Sequence, residues 1–464
     1  MLKLKFLNSS DKVRRFLFII NIFSGLVACY LGTINQFPDA DHYIQLGKCI
    51  LEGDFTSWQE FKGIYNETLR TPGYPIFLLI LSFFSNSVWL IYLVQFLAYI
   101  LTILVVEKII LVLFKKLKYV NWFYFLLIFN IQIPYYSGLV SAECLTILFV
   151  AIYLYILVRK EELIVKDWIW AAIVAGIAFQ LRPAFLLFPF CATAYFFLFK
   201  GRKPSALLHS VFFIITLLPF GLWNYNNHGT FKVTPIEGGA GIAHMGFWSF
   251  KLPDGYRESF YWNNSVVPDF TSPFEKNNQE AEQAVLTYEA EWRDVNDTLK
   301  LYVSKEDSVN LTYMKKTKPF FFPLHSSSFT KKRERLLWDK TKEHIFDDPV
   351  FYLKTRVYTF FRLHFTGLNM VKLNKSKSMV QSAQVIYPFI VSFTFILLGL
   401  LVSILYFVFK KKLSLNTIFV FCLILYFGVI HTPFAVQARY LVPIHLFILV
   451  LLSYTLSNLF SKRI

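Results

Sequence analysis

The strongest constraint on this chain is a series of apolar runs, each about as long as a bilayer is thick. A spanning α-helix needs about 20 predominantly apolar residues, and such runs lie near 16–34, 88–114, 120–138, 142–158, 206–225, 385–408, 414–430 and 441–459. Two shorter runs, 168–181 and 184–199, flank Arg182-Pro183. They read as a two-helix hairpin, because proline lacks the amide donor that a helix interior requires and Lys/Arg clusters bracket the pair. The pattern predicts an all-α polytopic membrane protein with about ten transmembrane helices. Composition agrees: only 17% of the 464 residues are charged, 55% are apolar and Phe alone occurs 52 times. An ordinary soluble domain carries about 25% charged residues. The first run has a basic leader, but its core is long and no small-x-small cleavage pattern follows, so it is expected to stay as a span.

Lys and Arg in short loops mark the cytoplasmic side. The clusters are Lys3/Lys5/Lys12/Arg14/Arg15, Lys115/Lys116/Lys118, Arg159/Lys160/Lys166, Lys200/Arg202/Lys203, Lys410/Lys411/Lys412 and Lys462/Arg463. An even number of spans separates each from the next, so both termini are expected to be cytoplasmic. The net charge of +17 is then a matter of topology and of contact with anionic membrane lipids, with no nucleic-acid partner implied.

This topology divides the chain into an N-terminal transmembrane module (1–225), an external loop subdomain (226–384) and C-terminal transmembrane helices (385–464). Inner loops are short, so chemistry is expected outside, in 35–87 and in 226–384. The apolar stretch Tyr74–Phe84 is too short to cross. Residues 41–53 carry Tyr43, Ile44, Leu46, Gly47, Ile50 and Leu51 at helical spacing. Both are expected to form juxtamembrane helices at the outer interface. The region 226–384 opens on Glu237-Gly-Gly-Ala-Gly, continues with a polar middle and ends on an amphipathic stretch from Pro349 to Phe365. It is expected to be a small external α or α+β subdomain. The five cysteines show no disulfide framework and no ligand spacing. Only Cys49 and Cys144 fall near the outer surface, which leaves one bridge open.

Several ionisable residues gather on that side. Asp39 and Asp41 follow the first span directly, either as a Pro-Asp turn that caps the next helix or as a general base held at an interface. Arg70 lies just before the short interfacial stretch, and Glu143, Arg182 and Arg439 sit in or beside apolar runs, where a charge is costly and marks a functional site unless it snorkels to headgroups. Acids and guanidinium groups at one face suit transfer of a group from a lipid phosphate: arginines hold the departing phosphate and a carboxylate deprotonates the acceptor. No metal or other cofactor is obligatory in that scheme, although a divalent metal has room in it. The outer histidines His42, His228, His244 and His431 form no short ligand motif, and His244, after the Gly-rich turn, is the one retained as a candidate.

Five stretches carry these residues: Pro38-Asp-Ala-Asp-His-Tyr43, Arg70-Thr-Pro-Gly-Tyr-Pro75, Ser141-Ala-Glu143, Leu181-Arg-Pro183 with Pro219 through Asn224 after it, and Arg439-Tyr-Leu-Val-Pro443. In this order they resemble the GT-C superfamily of integral-membrane glycosyltransferases, in the branch of protein O-mannosyltransferases and the lipid A aminoarabinose transferase. The resemblance implies a polyprenyl-phosphate-linked sugar donor, an acceptor on the outer or luminal face, and an Asp of the first external loop as catalytic base. Asp39 matches that base and Asp41 is the fallback. Glu143 would orient the acceptor or a metal. Arg70, Arg182 and Arg439 would hold the donor phosphate or organise the site, with Tyr74, His244 and Tyr440 as further substrate contacts. The chain is expected to lack the large C-terminal soluble domain of some relatives.

The resulting expectation is an inverting glycosyltransferase that moves a sugar onto a glycan, lipid or protein of the cell envelope. A transporter or flippase of lipid-linked sugars is the alternative, though it would place charges near the bilayer midplane; a non-catalytic assembly subunit is a third reading. Richness in Phe, Ile, Lys and Asn is the habit of an AT-rich bacterial genome and points to the inner membrane, with the site facing the periplasm or exterior; an endoplasmic-reticulum membrane is the alternative.

Overall fold

A computed structural model of the chain describes residues 11–36, 39–56, 66–199, 203–248, 250–252, 278–300, 327–365, 378–410, 414–434 and 438–461. Pro38, the Lys3/Lys5, Lys200/Arg202, Lys411/Lys412 and Lys462/Arg463 positions, and parts of the 226–384 region lie outside the described residues. Within them every regular element is helical. The helices are α1 (Asp11–Ile34), α2 (Asp39–Leu51), α3 (Gly73–Ser82), α4 (Val88–Phe114), α5 (Leu117–Phe129), α6 (Gln132–Tyr135), α7 (Glu143–Val158), α8 (Val165–Leu181) and α9 (Phe188–Phe199). They continue as α10 (Lys203–His228), α11 (Ala240–Trp248), α12 (Asn278–Lys300), α13 (Ser327–Asp347), α14 (Pro349–Leu363), α15 (Met379–Val391), α16 (Gly399–Lys410), α17 (Leu415–Ile430) and α18 (Val442–Ser461).

Five helical stretches among the described residues are long and apolar enough to cross a membrane: Asp11–Ile34, Val88–Phe114, Ser205–His228, Gln381–Lys410 and Arg439–Phe460. Helix α4 shows why this chain suits lipid. Phe96, Tyr99, Ile103 and Val106 are buried against neighbouring helices, while Leu93, Leu97, Leu101 and Leu104 project outward. A helix apolar on all sides has no face for water. Helix α18 is the central element: Leu446 through Leu451 are fully buried.

The run 120–138 is not one continuous helix, as its apolarity suggested. Helix α5 stops at Asn130, whose backbone leaves the helical region, and α6 and a 3-10 turn at Tyr136–Gly138 follow. Pro134, four residues on, cannot donate to the Asn130 carbonyl. Residues 381–410 run unbroken through a π-helical stretch at Ser392–Leu398. The 41–53 stripe forms α2, which lays Gly47 against Pro75 and Leu78 of α3 and buries Leu46 with Phe55 and Phe220. The amphipathic stretch from Pro349 forms α14, started by the Asp348 side chain accepting from the Phe351 amide at 2.9 Å, with Pro at the first turn. No disulfide joins Cys49 to Cys144; both thiols are buried.

Polar groups also lock the bundle. Asn21 in α1 donates to the Tyr124 carbonyl of α5 at 2.9 Å, and Arg14 pairs with Glu107 of α4 at 2.7 Å. Asp167, almost fully buried, accepts from Arg159 and from Lys160 at 3.1 Å and closes the α7–α8 turn. Small residues permit the closest approach, between α1 and the segment after α6. A Cβ added at Gly138 would lie 1.9 Å from the Cys29 carbonyl oxygen, and one at Gly32 would lie 2.3 Å from that of Tyr135. Backbones this close tolerate no methyl group. Gly138→Ala should therefore destabilise the bundle by about 1–3 kcal/mol, read as a lower apparent unfolding midpoint of the detergent-solubilised protein.

Candidate functional site

Proline decides where Arg182 goes. Helix α8 ends at Leu181, and Arg182, forced out of the helical region by Pro183, takes an extended backbone (φ −144°, ψ 106°). Its side chain turns to the first residue of α7, Glu143, and the two form an ion pair. Glu143 is only 5% exposed and Arg182 only 15%, so neither group has bulk water as an alternative partner. The Arg182 guanidinium also lies over the Tyr440 ring, 5.5 Å from its centroid, and Tyr440 stacks on His431 at 5.0 Å.

Asp39 opens α2 much as Glu143 opens α7. Each carboxylate sits in a first helical turn, where the backbone dipole favours negative charge. Arg70 reaches one Asp39 oxygen with Nη2 at 3.1 Å, and Arg439 approaches the other with Nη1 at 3.5 Å. The Arg70 guanidinium lies 5.1 Å from the Tyr43 ring centroid and 3.3 Å from His42 Nδ1. Burial first, and then the Arg70 charge, push the His42 pKa below its ordinary value, so this imidazole is neutral near pH 7. The two ion pairs form one group, since Arg439 is attracted by both Glu143 and Asp39.

Two residues that sequence reasoning passed over fix this geometry. Glu67, 2% exposed, accepts from the backbone amides of Leu69 and Arg70 at 2.9 and 3.1 Å, which sets the turn that aims Arg70. Gln95 of α4 accepts from the Tyr74 hydroxyl at 2.9 Å and donates to the carbonyls of Ser137 and Leu139 at 3.0 and 2.7 Å. Tyr74 is thereby anchored edge-on to Tyr43 at 4.9 Å, the ring beside the Arg70 guanidinium. The acid three residues before Arg70 was the available signal for Glu67; for Gln95, a lone amide within an apolar run was the signal.

Of the candidate residues, the structure brings Asp39, Arg70, Glu143, Arg182, Arg439 and Tyr440 together, with Tyr74 against Tyr43. Asp41 is exposed and takes part in no ion pair among the described residues. His244 lies elsewhere, in α11, where it meets Glu291 of α12 at 3.0 Å. The α11 region nevertheless reaches the Arg70 segment: the Glu237 amide donates to the Thr68 carbonyl at 2.8 Å, and Arg333 of α13 holds the Glu237 carboxylate at 2.8 Å. Burial raises the Glu237 pKa, with the Arg333 charge opposing it.

Neither a protein-family model nor a curated protein sequence matches the chain. Among solved structures it is similar to the crystal structure of ArnT from Cupriavidus metallidurans bound to undecaprenyl phosphate, at 11% identity and a TM-score of 0.39, over 96% of this chain and 78% of that one.

The Glu143–Arg182 pair makes a direct prediction. Removing one member of a buried ion pair strands the other, at a cost of about 3–5 kcal/mol, whereas replacing both restores much of the loss. Glu143→Gln should lower the thermal midpoint markedly, and Glu143→Gln with Arg182→Met should recover part of it, both measured on the purified chain.

Proposed function

We propose that the chain is a membrane glycosyltransferase of the GT-C type that moves a sugar from a polyprenyl-phosphate carrier onto a glycan, lipid or protein acceptor of the cell envelope. The observation that carries this reading is the arrangement around Asp39: its two carboxylate oxygens face two guanidinium groups from distant parts of the chain, Arg70 and Arg439. Arginine forks match phosphate as well as carboxylate. A donor phosphate entering here competes with Asp39 for both arginines. Binding of the donor then releases the carboxylate to act as a base only when the substrate is in place.

In the reaction, the acceptor O–H gives its proton to Asp39 and its oxygen attacks the anomeric carbon. The bond from that carbon to the phosphate oxygen breaks, the configuration inverts, and polyprenyl phosphate leaves with the electron pair, stabilised by Arg70 and Arg439. Glu143 and Arg182, paired beside this group, keep Tyr440 and the start of the Arg439 helix in register. None of these steps requires a metal. The ten-span topology, with cytoplasmic termini and the charged group facing the periplasm or exterior, belongs to the same proposal, as does the division at 225 and 384.

The test is transfer of a radiolabelled sugar in membranes supplied with polyprenyl-phosphate sugars. Asp39→Asn should slow transfer by about 10²–10⁴-fold, the contribution of a positioned general base, with donor binding retained. Asp41→Asn should transfer at close to the wild-type rate. Loss in the Asp41 variant alone moves the base two residues along α2, and full activity in both variants removes the base assignment.

A further inference from the structure

Away from the arginine-rich group, three helices of the 226–384 region bring together a second set of side chains. His244 comes from α11, Glu291 from α12 and His344 from the last turn of α13. One donor atom from each lies within 4.8 Å of the others. Glu291 meets the two imidazoles with different oxygens: Oε2 is 3.0 Å from His244 Nε2, and Oε1 is 2.6 Å from His344 Nε2. No short sequence motif links these residues, which lie on three separate helices.

The chemistry of the set is that of a metal centre. Each of the three side chains carries an atom with a lone pair that a divalent cation can accept, and Glu291 presents a different oxygen to each imidazole. His244 is 1% exposed, and its Nδ1 has no partner among the described residues. A buried ring nitrogen without a partner is costly to keep in an apolar core. The surroundings are aromatic and tight. Phe247 stacks on the His344 ring at 4.6 Å, Tyr288 lies against His244 at 5.9 Å, and the Trp248 indole N–H donates to Glu291 Oε2 at 3.1 Å. The indole bond is a contact of the outer shell, of the sort that orients a ligating carboxylate.

We propose that His244, Glu291 and His344 bind one zinc-class divalent cation that ties α11, α12 and α13 together, separately from the Asp39 group. Two imidazoles and a carboxylate are the donor types that suit zinc, which takes four ligands in a tetrahedron with distances of about 2.0–2.2 Å. Small side-chain rotations bring the three donors to those distances, with a water as the fourth ligand. Two of the three helices reach the transfer site through Glu237, which leads into α11, and Arg333 of α13, so a cation here would fix the outer region against the Arg70 segment.

The test uses the full-length chain without a polyhistidine tag, purified in detergent without chelator and analysed for metals by mass spectrometry. Roughly one zinc per chain is expected. After stripping, Zn²⁺ binding by competition with a chromophoric chelator should weaken by at least about tenfold in Glu291→Gln and in His344→Gln. Removal of a buried side chain can itself unfold the three helices. The unmutated chain therefore gives an independent readout: Co²⁺ added to stripped protein should develop the visible absorption of a four-coordinate nitrogen/oxygen site and be displaced by Zn²⁺. A wild-type chain that holds no zinc and takes up neither ion overturns the proposal, as do folded variants that bind as tightly as wild type. None of these readouts involves sugar transfer, so they are independent of the reading of Asp39.

Discussion

The interaction on which the rest depends is the contact between Asp39 and two arginines that reach it from positions 70 and 439. In an apolar bundle an unpaired charge is expensive, and a guanidinium–carboxylate contact is the least costly way to keep one there. That requirement draws together the turn before α3, the starts of α2 and α7, the end of α8 and the turn before α18. The acids occupy first helical turns, where the dipole favours them. Arg182 leaves its helix because Pro183 follows it. The bundle thus holds two adjoining ion pairs where these elements meet.

Helices α11 and α13 are joined to this group by short polar links. Glu67 sets the Arg70 turn, and His228 Nε2 lies 3.2 Å from the Glu67 carbonyl. Thr68 accepts from Glu237, whose carboxylate is held by Arg333. Next to it, Glu334 accepts from the amides of Gly238 and Ala240 at 2.7 and 3.1 Å and so caps α11. Gly239 supplies the positive φ of 91° that this tight entry needs. Arg356 of α14 then fastens the same helix to the end of α17, donating to the carbonyls of Gly246 and Thr432 at 3.0 and 2.7 Å. Both α11 and α13 are thus tied by hydrogen bonds to the backbone that aims Arg70.

Much of this was legible in the sequence, for a physical reason. Apolar length reports helices directly, and α1, α4, α10, the 381–410 stretch and α18 lie where the runs predict them. Charged residues beside apolar runs are so costly that Arg70, Glu143, Arg182 and Arg439 stood out one by one, and they do meet. What could not be read was pairing across distance. Nothing local says that Arg439 shares a carboxylate with Arg70, or that Glu143 takes Arg182. The break at Asn130 was hidden because Pro134 sits in a run whose apolarity stays uniform. Glu291 and His344 escaped notice because polar helices such as α12 carry many acids, and only the fold separates one that is buried against two imidazoles from its solvated neighbours.

The most direct measurement is the affinity of the purified chain in nanodiscs for polyprenyl phosphate, with and without the two arginines that face Asp39. Saturable binding should weaken by at least tenfold in Arg70→Ala and in Arg439→Ala, about 1.4 kcal/mol or more for each guanidinium lost. Asp39→Asn should bind at least as tightly as wild type, because the competing carboxylate charge is gone. Absence of binding, or binding indifferent to both arginines, would contradict a phosphate site at Asp39.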